Sequence, residues 1–442
     1  MKKITNFKKS KEISSKIHDL IPGGSHTYSK GDDQFPVNSP GLISHGKGAY
    51  VWDLDNNKYL DCSMGLTSVS IGHGYEPVAN AVAEAAHKGT NFQRPALIEA
   101  EAAKLFLDTV ESGDMVKFAK NGSTVTTAAV KLARAFTGRN RVAVCKDHNF
   151  FSFDDWFIST TPCNFGIPSN VIRSTAYFCY NNYACVEALL SSKNHDIACL
   201  IMEPVKFDPP ENDFLNKVAA LCKDRGVLLI IDEMISGFKW GLKGAQNYFG
   251  ITPDMSTWGK GIANGFSACA LTGRAEIMEL GGIRNEGNDK LFLISSTHGA
   301  ESTGLAAMNE TIKSFNKYNM IESNWDRGKF VKERLQSILT KYDLCDYLKW
   351  VGYPCLLLLE CKDHEKKPND YFRTLMMQEM ISRGVLFQGL LYVTWSHQKE
   401  ELDFFANAFE ESCVTYKEAI IAETTENFLI GRPAKPVFRK KI

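Results

Sequence analysis

Between about residue 97 and residue 310, short apolar runs alternate with amphipathic segments of helical period. The runs are continuous rather than alternating, which is typical of strands buried on both faces of a parallel sheet. The intervening segments predict helices that cover such a sheet. The predicted strands are 115–119, 142–145, 197–202, 228–234 and 267–272. This region is therefore predicted to be an α/β domain.

The chain on either side of this region has a different pattern. Residues 5–21 have helical spacing that stops at Pro22-Gly23-Gly24, and residues 48–61 alternate around Asn56-Asn57 as a hairpin does. From about residue 318, two helical patterns, two strand patterns and a last long helical pattern predict an α+β fold. We predict an N-terminal segment (1–75: helix, substrate loop and hairpin) that packs with a small C-terminal domain (318–442). The large domain (76–317) carries the sheet, and the chain ends in an extended tail, Arg432–Arg439.

Composition narrows the class of protein. Lys plus Arg and Asp plus Glu balance at 51 each, so the charge indicates neither a nucleic-acid partner nor a membrane surface. No apolar run approaches the length of a membrane span, and no apolar stretch follows the basic start as in a signal peptide. The twelve cysteines form no Cys-x-x-Cys pair, which favours buried thiols over disulfides or a metal site. We expect a cytoplasmic protein without a metal.

The run Leu228–Met234 ends in two carboxylates, Asp232 and Glu233. An unpaired buried charge is costly, so a carboxylate at the end of a buried strand should meet water, a cation or a ligand. Lys260 follows between two glycines, in a segment too rich in glycine for a helix interior. A buried acid and a lysine in a tight loop suit a pyridoxal phosphate (PLP) site, where the acid keeps the ring nitrogen protonated and the lysine binds the aldehyde. Taken alone, Asp232 could also be an ordinary strand-end acid and Lys260 a surface turn.

Other strand ends point to the same edge of the sheet. Glu203 follows the strand 197–202, and Phe150 lies shortly after the strand 142–145, where its ring could stack on a cofactor or pack in the core. Asn121-Gly122-Ser123-Thr124 lies between a strand and a helix. Such a turn leaves N–H groups free for a phosphate, although Ser and Thr also cap helices in any protein.

Three motifs together resemble the class III, fold-type I PLP-dependent aminotransferases, and within them the group similar to glutamate-1-semialdehyde 2,1-aminomutase. The first is the turn Asn121–Thr124 with the helix after it, similar to the phosphate loop of the family. The second is the segment from Asp232 to Lys239, and the third is Thr257-Trp258-Gly259-Lys260, similar to the Schiff-base loop. The resemblance runs over nearly the whole chain and implies a large, mostly parallel mixed-sheet domain and a smaller α+β domain.

The resemblance also implies roles for single residues. Lys260 would bind the cofactor and carry protons, and Asp232 would pair with the pyridine nitrogen. Met234 would lie against one ring face, and Phe150, or Phe151 after a one-residue shift, against the other. Gly122 and Ser123, with the backbone of Thr124, would hold the phosphate. Thr297 matches a threonine that reaches the phosphate of the neighbouring subunit, which implies a homodimer with a shared active site.

The departures from the pattern concern the substrate. Lys30 aligns with an aminomutase arginine that binds the substrate carboxylate, and a lysine lacks the bidentate fork of arginine. Leu66 takes the place of a tryptophan, and Gly299-Ala300-Glu301-Ser302 replaces a Ser-Gly-Asn-Pro turn. Three segments resemble a bacterial subgroup often found near polysaccharide and amino-sugar pathways: the loop around Lys30 (25–31), the segment 297–301 and the tail. We therefore expect amino transfer, with glutamate as donor, to a carbonyl of a small metabolite such as a sugar or sugar-derived compound; Lys30 and Glu203 are the expected substrate-binding residues.

Two alternatives remain at this point. One is a glutamate-1-semialdehyde 2,1-aminomutase. Lys30 and Leu66, which differ from the aminomutase residues at these positions, argue against it. The other is a non-catalytic binding protein with a PLP fold. The presence of Asp232, Lys260 and the phosphate loop speaks against it, because a protein without turnover needs no Schiff-base lysine.

Overall fold

The computed structural model describes residues 3–148, 150–191, 195–284 and 289–438; Arg439, the last residue of the predicted tail, lies outside these ranges. The strands in chain order are β1 (Ile43–Lys47), β2 (Tyr50–Asp53), β3 (Lys58–Asp61), β4 (Met115–Ala119), β5 (Arg141–Cys145), β6 (Thr175–Phe178), β7 (Ile197–Met202), β8 (Leu228–Asp232), β9 (Met255–Trp258), β10 (Cys269–Gly273), β11 (Leu348–Tyr353), β12 (Leu356–Cys361), β13 (Val385–Leu386) and β14 (Leu390–Tyr392).

The helices in chain order are α1 (Lys8–Ile17), α2 (Met64–Thr67), α3 (Glu76–Lys88), α4 (Leu97–Val110), α5 (Gly122–Thr137), α6 (Asp155–Ile158), α7 (Ser169–Arg173), α8 (Tyr183–Leu190), α9 (Phe214–Arg225), α10 (Gly244–Tyr248), α11 (Ala275–Met278), α12 (Ser302–Tyr318), α13 (Met320–Lys341), α14 (Asp370–Ser382) and α15 (Lys399–Ile421). In α2 the residues have positive φ, so it is a left-handed turn. No helix among the described residues has the length and apolar character that crossing a bilayer requires.

Within the described residues, the chain forms two compact units. The first, the two-sheet unit, comprises residues 3–66, 71–75 and 322–438; the second, the large-sheet unit, comprises residues 67–70 and 76–321. The two-sheet unit contains a sheet with strand order β1-β2-β3-β13 and another with order β11-β12-β14. Its core is built from apolar residues of α13, α14 and α15 together with apolar residues of these strands.

The large-sheet unit is organised around one sheet of seven strands, in the order β4-β10-β9-β8-β7-β5-β6. The pairs β9/β8, β8/β7, β7/β5 and β5/β6 are parallel, and β10 runs antiparallel to both of its neighbours. The sheet is thus mixed and mostly parallel, as the sequence predicts. The predicted strand 228–234 is too long at its carboxyl end: β8 ends at Asp232, because the chain turns there.

Alternate residues of the central strands enter different cores. Leu228 and Ile230 of β8 pack with residues of α5, whereas Leu229 and Ile231 pack with residues of α8 and α9. All five residues of β8 are buried, so the strand is covered on both faces. By this alternation Asp232 lies on the face of the sheet that α5 covers.

Candidate active site

Strand register places three polar side chains next to one another at the carboxyl edge of the sheet. Met202 pairs with Ile231, so Glu203 comes opposite Asp232, and Asp232 itself pairs with Thr257. Paired residues of parallel strands direct their side chains to the same face. The sequence identifies each of these residues, but only the register shows that they are neighbours.

The carboxyl of Asp232 is buried, with 2% of the residue exposed. Its Oδ1 accepts hydrogen bonds from the N–H of Met234 (3.0 Å) and from Oγ1 of Thr257 (2.9 Å). No described residue donates a hydrogen bond to Oδ2. Burial, followed by the nearby charge of Glu203, raises the pKa of Asp232 to about 7, although Lys260 and the two donors act in the opposite direction.

Glu203 is the second carboxyl of the site and is 3% exposed. Its Oε2 is buried and accepts no hydrogen bond from the described residues. The backbone N–H of Glu203 donates to Nδ1 of His148 (3.1 Å), which leaves Nε2 of this ring as the protonated nitrogen. Burial also lowers the pKa of His148, which favours the neutral ring. The sequence analysis missed His148, which carries no motif of its own.

The loop after β9 holds Lys260 in an unusual conformation. Its φ is +46°, in the left-handed region that costs a non-glycine residue about 1–2 kcal/mol. A Cβ on the preceding Gly259 would lie 2.5 Å from Sδ of Met234 and 2.6 Å from Sγ of Cys269, so only glycine fits there. Trp258 is fully buried and donates from Nε1 to Oγ1 of Thr272 (3.0 Å). The lysine thus follows a rigidly packed strand end.

Met234 connects the lysine loop to the start of α5. A Cβ on Gly122 would lie 3.0 Å from Sδ of Met234, the same sulfur that approaches Gly259. Met234 is buried and its N–H is bonded to Asp232. The side chain therefore lies beside the phosphate loop and the lysine loop together, which suits a residue that contacts a flat ligand between them.

The phosphate loop opens α5 with a side-chain cap. Oδ1 of Asn121 accepts hydrogen bonds from the N–H of Thr124 (3.0 Å) and from its Oγ1 (3.1 Å). Oγ of Ser123 accepts from the N–H of Phe153 (3.0 Å) and can still donate its proton. A helix start has N–H groups without an intrahelical acceptor and a partial positive charge. The cap already uses the N–H of Thr124, so of the three predicted phosphate ligands Gly122 and Ser123 suit a phosphate better than Thr124 does.

The remaining predicted residues lie in different places. Phe150 is 46% exposed and packs edge-on against Phe157, whereas Phe151 is buried in the core. Thr297 is exposed, and its carbonyl oxygen accepts from Nδ2 of Asn91 (3.1 Å). Lys30 belongs to the two-sheet unit, where it ends a short 3-10 helix and is exposed.

The chemistry of the large-sheet residues fits PLP. A buried carboxyl with one open oxygen, Asp232, suits a protonated ring nitrogen, and the start of α5 suits a phosphate. The positive charge of Lys260 acts to lower the pKa of Asp232, against the effect of burial. The residues present therefore fit the ring nitrogen, the phosphate and the aldehyde of the cofactor.

The family model described as Aminotransferase class-III matches residues 29–411. The glutamate-1-semialdehyde 2,1-aminomutase of Sulfurihydrogenibium azorense is 30% identical over 363 residues, which cover 78% of this chain and 83% of that protein. The 3-aminobutyryl-CoA aminotransferase of Cloacimonas acidaminovorans is 27% identical over 421 residues, which cover 93% and 98%.

A solved structure of the same fold is that of the FumI protein of Sphingopyxis sp. in its PLP internal aldimine form. The two chains have a TM-score of 0.85 and 21% sequence identity, and the match covers 95% of this chain and 99% of that chain. At this identity the similarity establishes the fold.

Proposed function

We propose a reaction for this chain from the premise that it belongs to the class III aminotransferase family, whose members are PLP-dependent enzymes. The reaction is the transfer of an amino group from a small-molecule donor, glutamate, to the carbonyl of a second small metabolite, of which sugars and sugar-derived compounds are the proposed class. The proposal rests on the buried carboxyl of Asp232, whose Oδ1 accepts both hydrogen bonds from the described residues and whose Oδ2 is left for a ligand. The strained loop of Lys260 belongs to the same site.

When bound, PLP supplies an aldehyde that condenses with amines and a ring that delocalises the electron pair of the carbon beside the nitrogen. Asp232 would hold a proton on the ring nitrogen, which would strengthen this delocalisation. Nζ of Lys260 would bind the aldehyde, and its free amine would carry a proton between the substrate carbon and the neighbouring carbon. The burial of Asp232 keeps bulk water away from the carboxyl that would hold this proton.

Lys30 is the proposed contact for an anionic group of the substrate. The loop that carries it is held by the C-terminal tail: Nη2 of Arg432 donates to the carbonyl of Asp32 (3.1 Å), and the N–H of Lys435 donates to the carbonyl of Asp33 (2.9 Å). Gln388 donates to the carbonyl of Ser29 at 3.3 Å. These contacts fix the backbone on both sides of Lys30, while its exposed side chain stays available to a ligand.

Amine half-reactions test the proposed function. Glutamate should convert the visible spectrum of the bound cofactor to that of the amine form, and an added carbonyl acceptor should reverse the change. Lys30→Ala should raise KM for an anionic acceptor about tenfold with a smaller change in kcat, because it removes one charge-assisted hydrogen bond. Lys30→Arg, which keeps the charge, is the matched control.

The aminomutase is the second candidate function, favoured by the relative from Sulfurihydrogenibium azorense. It predicts fast formation of 5-aminolevulinate when glutamate-1-semialdehyde is supplied, without any separate acceptor. That result would replace the aminotransferase proposal. A spectrum that responds to no amine would support the binding protein instead.

A homodimer belongs to the same proposal. Thr297 is exposed on a segment that also exposes Ser295, Ser296 and His298. In a dimer this segment would supply Thr297 to the cofactor phosphate of the partner subunit. Light scattering of the purified holoenzyme should give twice the mass of the 442-residue chain.

Glu203→Gln should change how PLP affinity depends on pH. A protonated ring nitrogen needs an ionised Asp232, so affinity falls as the pH drops through the pKa of this carboxyl, about 7 in the protein. Removing the Glu203 charge lowers that pKa, because like charges disfavour ionisation. The fall in affinity should therefore move to lower pH, as measured by titrating apoenzyme with PLP from pH 5 to pH 8 (about the range in which such a group titrates).

Asp232 also interacts with the N–H of Met234, with Oγ1 of Thr257 and with the positive charge of Lys260, and all three are kept in this variant. Asp254→Asn, an equivalent loss of charge at the other end of β8, serves as the control and should leave the profile in place. An unchanged profile in Glu203→Gln would show that the charge of Glu203 does not affect the pKa of Asp232.

A further inference from the structure

The residue before the phosphate loop is paired with a distant acid. Nζ of Lys120 forms an ion pair with Oε1 of Glu301, and the carbonyl of Lys120 accepts a hydrogen bond from Oγ of Ser267. Both ionic side chains are largely buried, at 28% and 14% exposed. Lys120 is followed directly by Asn121, the cap of α5. The pair therefore acts on the backbone that leads into Gly122 and Ser123.

Glu301 is at the same time the N-cap of α12. Its Oε1 also accepts from the N–H of Gly304 (2.9 Å), and its Oε2 accepts from the N–H of Thr303 (2.9 Å). Burial acts to raise the pKa of Glu301, but the hydrogen bonds from Lys120, Thr303 and Gly304 outweigh it and lower the pKa to about 2. The acid is thus ionised across the physiological range and holds both the lysine and the helix start.

The ion pair lies directly against Gly304 in the first turn of α12. A Cβ on Gly304 would lie 2.9 Å from Nζ of Lys120 and 2.7 Å from the carbonyl oxygen of Ser267. A residue with a side chain at this position of α12 would displace the ammonium group. The ion pair between Lys120 and Glu301 therefore depends on the absence of a side chain at Gly304.

The segment between Thr297 and α12 is held at several points. The carbonyl of Thr297 accepts from Asn91, and the N–H of Ser302 donates to the carbonyl of Thr90 at 3.0 Å. A Cβ on Gly299 would come within 3.0 Å of Oγ of Ser296 and 3.4 Å of the carbonyl of Phe118, the strand residue two positions before Lys120. Through Glu301 this segment is tied to the phosphate loop of its own subunit.

We propose that Lys120 and Glu301 are positioning residues for the cofactor phosphate, which fix the phosphate loop and the Thr297 segment relative to each other. This inference rests on the proposed function, in which the loop binds the phosphate of its own subunit and Thr297 that of the partner subunit. In the dimer, the ion pair of one subunit would align the phosphate loop of that subunit's own site with the Thr297 segment that enters the site of the partner subunit. Lys120 itself makes no contact with the phosphate in this arrangement.

The test is the rate at which holoenzyme loses PLP to a trap for free aldehyde, followed by the fall of visible absorbance. Lys120→Met and Glu301→Asn should each increase this rate about tenfold, the effect of losing one buried charge-assisted contact. Asn is a good helix cap, so Glu301→Asn removes the charge and keeps a capping group. The double variant should be no faster than either single variant, because both remove the same interaction.

Lys104→Met is the matched control, since Lys104 forms an exposed pair with Asp108 in the same unit. It should leave the rate unchanged. Lys120→Arg should restore slow loss, and thermal unfolding of the apo forms should separate cofactor effects from stability. Slower PLP loss in Glu301→Asn, together with faster loss in Lys120→Met, would make Lys120 a direct phosphate ligand and overturn the proposal. Additive effects of the two substitutions, or no effect of either, would also overturn it. A wild-type protein that binds no PLP would instead refute the proposed function.

Discussion

Replacement of Lys260 by alanine is expected to reduce turnover by about 10³-fold or more, because it removes both the amine that binds the cofactor aldehyde and the proton carrier at the reacting carbon. The backbone at this position lies at φ +46°, a strained conformation that local packing around Gly259 and Trp258 maintains. Strain of this kind persists where the surroundings fix it and often marks a functional residue. The measurement is kcat with glutamate and an acceptor, together with the absorbance of the purified protein.

Lys243→Ala is the matched control for this change. Lys243 lies in the same unit, is 42% exposed at its side chain and pairs with Glu111 at the surface. Its loss should leave kcat unchanged. If the visible spectrum of the Lys260→Ala protein matched that of the wild type and turnover persisted, another group would have to bind the cofactor.

Asp232→Asn should retain the fold and bound PLP but lose about 10²-fold or more in kcat, the range of one proton-transfer group. Asn can still accept the hydrogen bonds from Met234 and Thr257 at Oδ1. It cannot hold a proton on the ring nitrogen, so the ring delocalises charge less well. PLP content and kcat, measured on the same preparation, separate the two effects.

The adjacent carboxyl provides the control for Asp232→Asn. Glu233 is also buried, and burial raises its pKa to about 7 against hydrogen bonds from Ser236, Ala245 and Gln246. Its carboxyl binds these residues and no part of the proposed cofactor site. Glu233→Gln should therefore change thermal stability more than kcat. Equal kcat for wild type and Asp232→Asn would show that the ring nitrogen needs no charged partner.

The sequence predicts those parts of the fold that depend on local pattern. The continuous apolar run Leu228–Ile231 identifies β8, and the Asn-Gly-Ser-Thr turn identifies the start of α5, both close to their observed bounds. The sequence pattern does not predict the strand β9, because its Ser256 and Thr257 are polar. Both are buried only because they find partners in Gln246 and Asp232. Local composition does not contain that information.

The geometry of the site depends on long-range pairing. The register that brings Glu203 beside Asp232 joins strands separated by the whole of α9, and Lys120 meets Glu301 from a position 181 residues away. Neither pair has a sequence signature, since each residue alone resembles an ordinary strand end or loop charge. The motifs that resemble the family indicate Asp232 and Lys260. The residues that position these two side chains are found only from the contacts in the structure. The roles of Lys260, Asp232 and the other predicted site residues stay predictions.

The central claim is that one amine, that of Lys260, binds PLP in the site formed with Asp232. Borohydride reduction of the holoenzyme, followed by proteolysis and mass spectrometry, tests it most directly. We predict a single modified peptide, with the reduced cofactor attached to Lys260. A modified lysine at any other position, or no modified peptide from a protein that contains PLP, would contradict the account.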